Sequence, residues 1–136
     1  MAVKISGKYL GDKRVEALHE QSGTKLITDA PLDNQGLGRS FSPTDLFATS
    51  IAVCALTVMS IYAEQHSISL AGSYFELTKE MSANPRRVAA VLTTLHLPQA
   101  LSPENRTTLE RVAQTCPVHK SLHPDVRAVI TFVYDA

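Results

Sequence analysis

Two cysteines, Cys54 and Cys116, are the side chains of this 136-residue sequence most able to do chemistry. Cys116 stands before Pro117 in the segment QTCPVHKSL, and His119 follows three residues after the cysteine. Such a cysteine can be a redox-active thiol, a metal ligand or an inert buried side chain, because free cysteine is among the most buried residue types. No other cysteine is present, so the choice depends on whether these two share a site.

A reactive thiol must ionise, and a free cysteine with a pKa near ~8.5 is only slightly ionised at neutral pH. Neither cysteine lies at a predicted helix N-terminus, where the helix dipole would lower the pKa of a thiol. Cys54 falls about three turns inside a predicted helix, and Cys116 falls at a predicted helix C-terminus, where the partial negative charge opposes ionisation. We therefore expect the fold to bring a cation to the thiol, and arginine is favoured because it stays charged. The candidates are Arg14, Arg39, His19 and His119.

A zinc site is the alternative chemistry. Cys116, His119 and His123 have a compact C-x2-H-x3-H spacing, and Cys54 could supply a fourth ligand. Structural zinc sites usually present their ligands in two close pairs, whereas Cys54 stands alone. Spacing alone leaves inert thiols, redox chemistry and zinc open.

The first part of the chain predicts three strands, a loop and a long helix. Residues 3–10, 14–20 and 24–28 have strand patterns, and residues 29–40 have the Pro, Gly, Asp and Asn content of a loop. Ser42 and Pro43 suit the start of a helix, and Asp45 completes a capping box. This helix should run to about residue 65 and carry Cys54. Phe47 and Ser50 are near neighbours of Cys54 on the helical wheel.

The second part predicts a hairpin, a helix and a strand. Residues 72–81 alternate between apolar and polar side chains, and residues 87–97 predict a second strand that forms an antiparallel hairpin with the first. Ser102 and Pro103 start a second helix, which should stop at Cys116 because Pro117 disfavours helical backbone before it. Residues 126–134 predict a last strand. We therefore predict an α+β fold in a single domain, residues 1–136.

Composition excludes some classes of protein. Thirteen Lys and Arg residues balance thirteen Asp and Glu residues, and no basic stripe is present, so nucleic-acid binding is not expected. Residues 46–63 carry no charge over 18 positions, close to the length that spans a bilayer. Four serine and threonine residues interrupt this segment, so we interpret it as a core helix and expect no membrane contact. The N-terminal segment lacks the pattern of a secretory signal, so we expect a cytoplasmic protein.

Three segments resemble the OsmC/Ohr family of osmotically inducible and organic hydroperoxide resistance proteins. The segment FSPTDLFATSIAVCALTVMSIYA, residues 41–63, looks like the long central helix of that family. CPVHKSL, residues 116–122, looks like the second cysteine motif of the OsmC-like branch, and SGTKLITDAPLDNQGLG, residues 22–38, also matches that branch. The resemblance implies an intertwined homodimer with antiparallel curved sheets around central helices and two active sites at the subunit interface.

The resemblance also implies peroxide reduction, especially of organic hydroperoxides, in oxidative stress defence. Cys54 would attack the peroxide and become a sulfenic acid, and Cys116 would condense with it to a disulfide. An external thiol or dithiol would then reduce the disulfide, and no cofactor is required. By order along the chain, Arg14 corresponds best to the catalytic arginine of the family, with Arg39 as the second choice.

One position departs from the family pattern. Hydroperoxide resistance proteins have a glutamate at the position aligned with Thr44, where it partners the catalytic arginine. Thr44 carries no charge, so the activity is expected to be slower or directed at another substrate. We predict that the substrate contacts Thr44, Phe47, Ser50 and Arg39. A non-enzymatic dimer that binds an apolar ligand on the same fold is the alternative function.

Overall fold

A computed structural model of the chain describes all residues from 1 to 136. They divide into two compact units, Met1–Leu46 and Phe47–Ala136. The α+β fold class predicted from the sequence is confirmed. The assignment of residues 1–136 to a single domain stays a prediction.

The first unit is built on a three-stranded antiparallel sheet. Its strands β1 (Ile5–Gly11), β2 (Arg14–His19) and β3 (Lys25–Asp29) pair in chain order. The turn between β1 and β2 is made by Asp12 and Lys13, whose φ values of 55° and 60° are those that a tight two-residue hairpin turn requires. All three strands lie within one or two residues of their predicted bounds. The predicted loop after β3 contains one short 3-10 turn, Leu32–Asn34.

The long helix α1 (Pro43–Gln65) begins and ends where the sequence predicted. The capping box is present: the Asp45 amide donates to Ser42 Oγ at 3.1 Å, and the Ser42 amide donates to Asp45 Oδ2 at 2.9 Å. By length and composition α1 could cross a membrane, a test that the core helix of a soluble protein also passes.

The second unit contains the rest of the regular structure. Strands β4 (Tyr74–Ser82) and β5 (Arg87–His96) form the predicted antiparallel hairpin, and β6 (Arg127–Val133) pairs with β5 in parallel. Helix α2 (Pro103–Ala113) ends three residues before Cys116, earlier than predicted. A one-turn helix that the sequence analysis did not predict, α3 (Pro117–Lys120), follows Cys116.

Small residues let α1 pack closely in the second unit. Its buried face is formed mainly by alanine, and Ala48 and Ile51 cluster with Val88 and Val91 of β5. A second cluster joins the later turns of α1 to Leu95 and to α2. The opposite side of α1 exposes apolar side chains, including Val53 at 47% and Ile61 at 53%. These two clusters fix the helix that carries Cys54.

This core contains a buried hydroxyl group that is not hydrogen-bonded. Thr93 on β5 is 2% exposed, and its Oγ1 has no hydrogen-bond partner. A buried hydroxyl without a partner costs about 1–3 kcal/mol, and valine has nearly the same shape. We expect Thr93→Val to raise the free energy of unfolding by about 1 kcal/mol in urea denaturation. Thr93→Ser, which keeps the hydroxyl and removes a methyl group, is the control and should destabilise. A parental or lower stability of Thr93→Val would contradict this assignment.

Candidate active site

Cys54 lies half-buried in the middle of α1, next to residues that fix the helix in the core. Its neighbour Ala55 is fully buried, as is Ala52. Phe47 and Ser50 precede Cys54 by about two turns and one turn, so the three side chains share one side of the helix. The Ser50 hydroxyl donates to the Phe47 carbonyl at 2.6 Å.

Cys116 lies between α2 and α3 and is 1% exposed. Pro117 keeps Cys116 in an extended conformation (φ −61°, ψ 133°), which makes it the N-cap residue of α3. The His119 amide donates to Cys116 Sγ at 3.2 Å. The prediction that Cys116 sits at a helix C-terminus, facing negative charge, is therefore wrong, because α2 has already ended and amide groups of α3 face the sulfur.

The fold brings the two thiols together from α1 and the α2–α3 connection. Both are free, and Cys54 lies close enough to Cys116 to affect the pKa of the Cys116 thiol. Burial raises the pKa of Cys116, and the interaction with the nearby Cys54 side chain raises this pKa further. The backbone amides of His119 and Val118 act in the opposite direction but do not reverse the shift. The Cys116 thiol is consequently protonated at neutral pH.

A cleft of about 260 Å³ is lined by residues of the two segments that carry the cysteines, although neither cysteine is among its lining residues. One wall comes from α1, and the other comes from α3 and the residues after it. Its lining residues are Phe47, Ser50, Pro117, Val118, Ser121 and Leu122. Phe47 and Ser50, predicted as substrate contacts, therefore lie on a mainly apolar cleft beside the cysteines. A larger groove of about 640 Å³ lies at the C-terminal end of α1, away from the residues that flank the two cysteines.

Arg39, in the first unit, is occupied by two carboxylates. It donates from Nε to Asp29 Oδ2 at 2.7 Å and from Nη2 to Asp12 Oδ2 at 3.0 Å. The Asp29 side chain has no exposed surface. Hydrogen bonds from the side chain and the backbone of Arg39 lower the pKa of Asp29 to about 2. Arg39 thus acts as the structural partner of a buried acid.

Arg14 differs from Arg39 in its hydrogen bonds. It lies opposite Asp29 in the pairing of β2 with β3, yet its buried Nε has no hydrogen-bond partner. Both carboxylate oxygens of Asp29 already accept hydrogen bonds from Arg39. Of these two arginines, Arg14 therefore has a nitrogen atom available for a further hydrogen bond. The hydroxyls of Thr44 and Ser42 are 3.2 Å apart within the first turn of α1, so Thr44 forms part of the capped helix start.

The histidine candidates do not form a metal site. His19 contacts Ser22 on the surface of the first unit. His123 contacts Arg87 and Asp125, and no three His, Cys, Asp or Glu side chains are placed to hold a metal ion. The zinc ligand set considered from the sequence is therefore not assembled. His119 has a buried Nδ1 without a hydrogen-bond partner.

The structural role of Cys116 had a signal that the sequence analysis missed. Ser42-Pro43 and Ser102-Pro103 both start helices, and Cys116-Pro117 repeats this arrangement with sulfur in place of oxygen. A polar N-cap atom followed by proline at the first helical position is a typical helix start. Read this way, the pattern predicts α3 and an amide donor to the Cys116 sulfur.

Comparison with known proteins identifies the family. The model of the family described as OsmC-like protein matches residues 36–131. A Psychrobacter arcticus protein assigned to osmotic stress induction and detoxification is 44% identical, with 97% of this chain and 96% of that chain covered and a TM-score of 0.91. No curated protein matches the chain.

Two more distant structures share the fold. An organic hydroperoxide resistance protein OsmC of Legionella pneumophila is 20% identical, with coverage of 98% and 97% and a TM-score of 0.75. A Vibrio cholerae structure assigned to organic hydroperoxide resistance, with captopril in one of its active sites, is 20% identical, with coverage of 95% and 90% and a TM-score of 0.72. The resemblance and the fold predicted from the sequence are confirmed, and the chain belongs to the OsmC-like protein family.

Proposed function

We propose that this protein is a cofactor-free thiol peroxidase that reduces organic hydroperoxides in oxidative stress defence. The observation that supports this most is the proximity of two free cysteines whose neighbouring residues line a mainly apolar cleft. The cleft volume of about 260 Å³ suits a compact organic group attached to a peroxide. Membership of a family that includes hydroperoxide resistance proteins agrees with this reaction.

The reaction proceeds in three steps that balance. The Cys54 thiolate attacks one peroxide oxygen, the O–O bond breaks, and the substrate leaves as an alcohol after taking a proton, which gives Cys54 sulfenic acid. Cys116 then attacks the Cys54 sulfur, forming the S–S bond and releasing water. An external thiol or dithiol reduces the disulfide and restores both thiols.

The surroundings of the two cysteines support different roles. Cys54 is partly exposed, whereas Cys116 is buried and has a raised pKa. A peroxide therefore has better access to Cys54. The proximity of the two thiols supports attack by Cys116 on a sulfenic acid formed at Cys54. These differences favour Cys54 as the nucleophile and Cys116 as the resolving thiol.

Arg14 is the proposed cation for the Cys54 thiolate, because Arg39 is committed to Asp29 and Asp12. Arginine can hold both a thiolate and a peroxide oxygen through its several N–H groups. Thr44 stands where hydroperoxide resistance proteins have a glutamate, so this chain lacks that carboxylate partner. We expect peroxide reduction to be slower than in proteins that have the glutamate.

The protein is proposed to work as a cytoplasmic homodimer without nucleic-acid or membrane contacts. The exposed apolar side chains of α1, such as Val53 and Ile61, form a surface that a second copy would cover. Formal net charge is zero, which gives no general attraction for nucleic acid.

Thiol counting tests the proposed reaction. One equivalent of cumene hydroperoxide added to reduced protein should consume both thiols and release one alcohol, because one disulfide forms per peroxide reduced. Free thiols are measured with a chromogenic disulfide in denaturant, and alcohol is measured by chromatography. Cumyl alcohol, which has the same carbon skeleton without the peroxide bond, is the control. If both thiols survive many equivalents, the proposal fails, and binding of an apolar ligand becomes the better explanation of the cleft.

A further inference from the structure

The Cys116 sulfur interacts with two groups, a backbone amide and the Cys54 thiol. On one side it accepts a hydrogen bond from the His119 amide at 3.2 Å, as the N-cap atom of α3. The Cys54 thiol is also close enough to interact with this sulfur. The hydrogen bond from the His119 amide and the nearby Cys54 thiol limit rotation of the Cys116 side chain about its Cα–Cβ bond.

In the disulfide-forming step, the protein and not water must stabilise negative charge on the Cys116 sulfur. As Cys116 attacks, its thiol loses a proton and negative charge develops on the sulfur. Cys116 is 1% exposed, so solvent cannot stabilise that charge. The His119 amide already points at the sulfur and can strengthen its hydrogen bond as the charge grows.

We propose that the backbone amide of His119 is the positioning group for the disulfide-forming step, in which it orients the Cys116 sulfur toward Cys54 and stabilises the charge that develops during attack. This inference rests on the proposed peroxidase function. In the step, the S–S bond forms and the S–O bond of the sulfenic acid breaks. The Cys116 proton leaves with the hydroxyl group as water, so Cys116 is oxidised while the Cys54 sulfur is reduced.

The amide and the ring of His119 can be separated. The ring Nδ1 is buried without any hydrogen-bond partner, so the ring makes no hydrogen bond to Cys116 through this atom. The residues of α3 and its C-terminal end that line the cleft are Pro117, Val118, Ser121 and Leu122, and His119 is not among them. The backbone N–H is therefore the part of His119 that acts on the sulfur.

A single-atom change at position 119 tests the proposal. Incorporation of lactic acid replaces the N–H by oxygen and leaves a methyl side chain, and His119→Ala has the same side chain with the amide retained. After one equivalent of cumene hydroperoxide, the lifetime of the Cys54 sulfenic acid is measured by trapping with a 1,3-diketone. We expect disulfide formation in the ester protein to be about tenfold slower than in His119→Ala, the effect of one hydrogen bond to a charged atom. Equal rates in the two proteins, or an equally large loss in His119→Ala relative to the parent, would overturn the proposal.

A second measurement leaves position 119 unaltered, which matters if the ester weakens α3. In 15N-labelled Cys54→Ser protein, the only thiol is Cys116, and its ionisation should move the His119 amide proton downfield as the hydrogen bond strengthens. An amide proton that does not respond while Cys116 titrates would refute the role of the amide. If instead no variant forms a sulfenic acid with peroxide, the peroxidase proposal fails, and this titration still decides whether the amide binds the sulfur.

Discussion

Cys54→Ser is expected to abolish hydroperoxide consumption, with a loss of at least about a thousandfold in rate. A serine hydroxyl is a far weaker nucleophile than a thiolate, and it cannot form a sulfenic acid. Cys116 cannot replace the missing sulfur, because it is 1% exposed and its pKa is raised by burial. Peroxide consumption is measured with cumene hydroperoxide and an excess of dithiol.

Cys116→Ser is the matched control for this prediction. It should reduce one equivalent of peroxide at nearly the parental rate and then stop at a Cys54 sulfenic acid, which a 1,3-diketone traps. Further peroxide should drive Cys54 to the irreversible sulfinic acid, since no resolving thiol is present. Undiminished turnover by Cys54→Ser, or a complete loss of the first turnover in Cys116→Ser, would reverse the roles assigned to the two cysteines.

Arg14→Met should slow the formation of the sulfenic acid by about a hundredfold. Methionine keeps much of the length of arginine but removes the charge that is proposed to stabilise the Cys54 thiolate. The buried Nε of Arg14 has no partner, so its removal should lower the unfolding temperature only slightly. The first turnover is followed by stopped flow with cumene hydroperoxide, and Arg14→Lys shows how much of the effect is charge alone.

Arg39→Met is the control for Arg14→Met and should have the opposite profile. It leaves the buried carboxylate of Asp29 without its main partner, so the protein should unfold at a lower temperature while the folded fraction reacts normally. The depressed pKa of Asp29, about 2, contributes stability that is present above the usual carboxyl pKa of about 3.9 and is lost as the pH falls toward 2. Arg39→Met should lack this contribution near neutral pH. A larger kinetic defect in Arg39→Met than in Arg14→Met would make Arg39 the catalytic arginine.

Local patterns in the sequence predicted much of the fold. The capping box of Ser42 and Asp45 and the uncharged segment after it were sufficient to place α1 and to put Cys54 beside Phe47 and Ser50. The hairpin of β4 and β5 followed from the alternation of apolar and polar residues in β4 and from the turn residues that precede β5. These features depend on residues close together in the chain, so their physical causes are visible in the sequence.

Other features depend on residues that are distant in sequence or on elements too short to show a period. The parallel pairing of β6 with β5 joins segments about 40 residues apart, as in Ala90 with Arg127, and no local pattern encodes it. Helix α3 has four residues, too few for a helical repeat. The carboxylates that occupy Arg39 come from Asp12 and Asp29, so the difference between the two arginines also needed three-dimensional structure.

The start of α3 has an evolutionary consequence. Serine and cysteine differ by one atom, and the same backbone with proline at the next position accommodates serine at the starts of α1 and α2 and cysteine at residue 116. An ancestor with serine at this position would already have had the same backbone. The second thiol can therefore be gained or lost within a lineage by one substitution, without first remodelling the architecture around it.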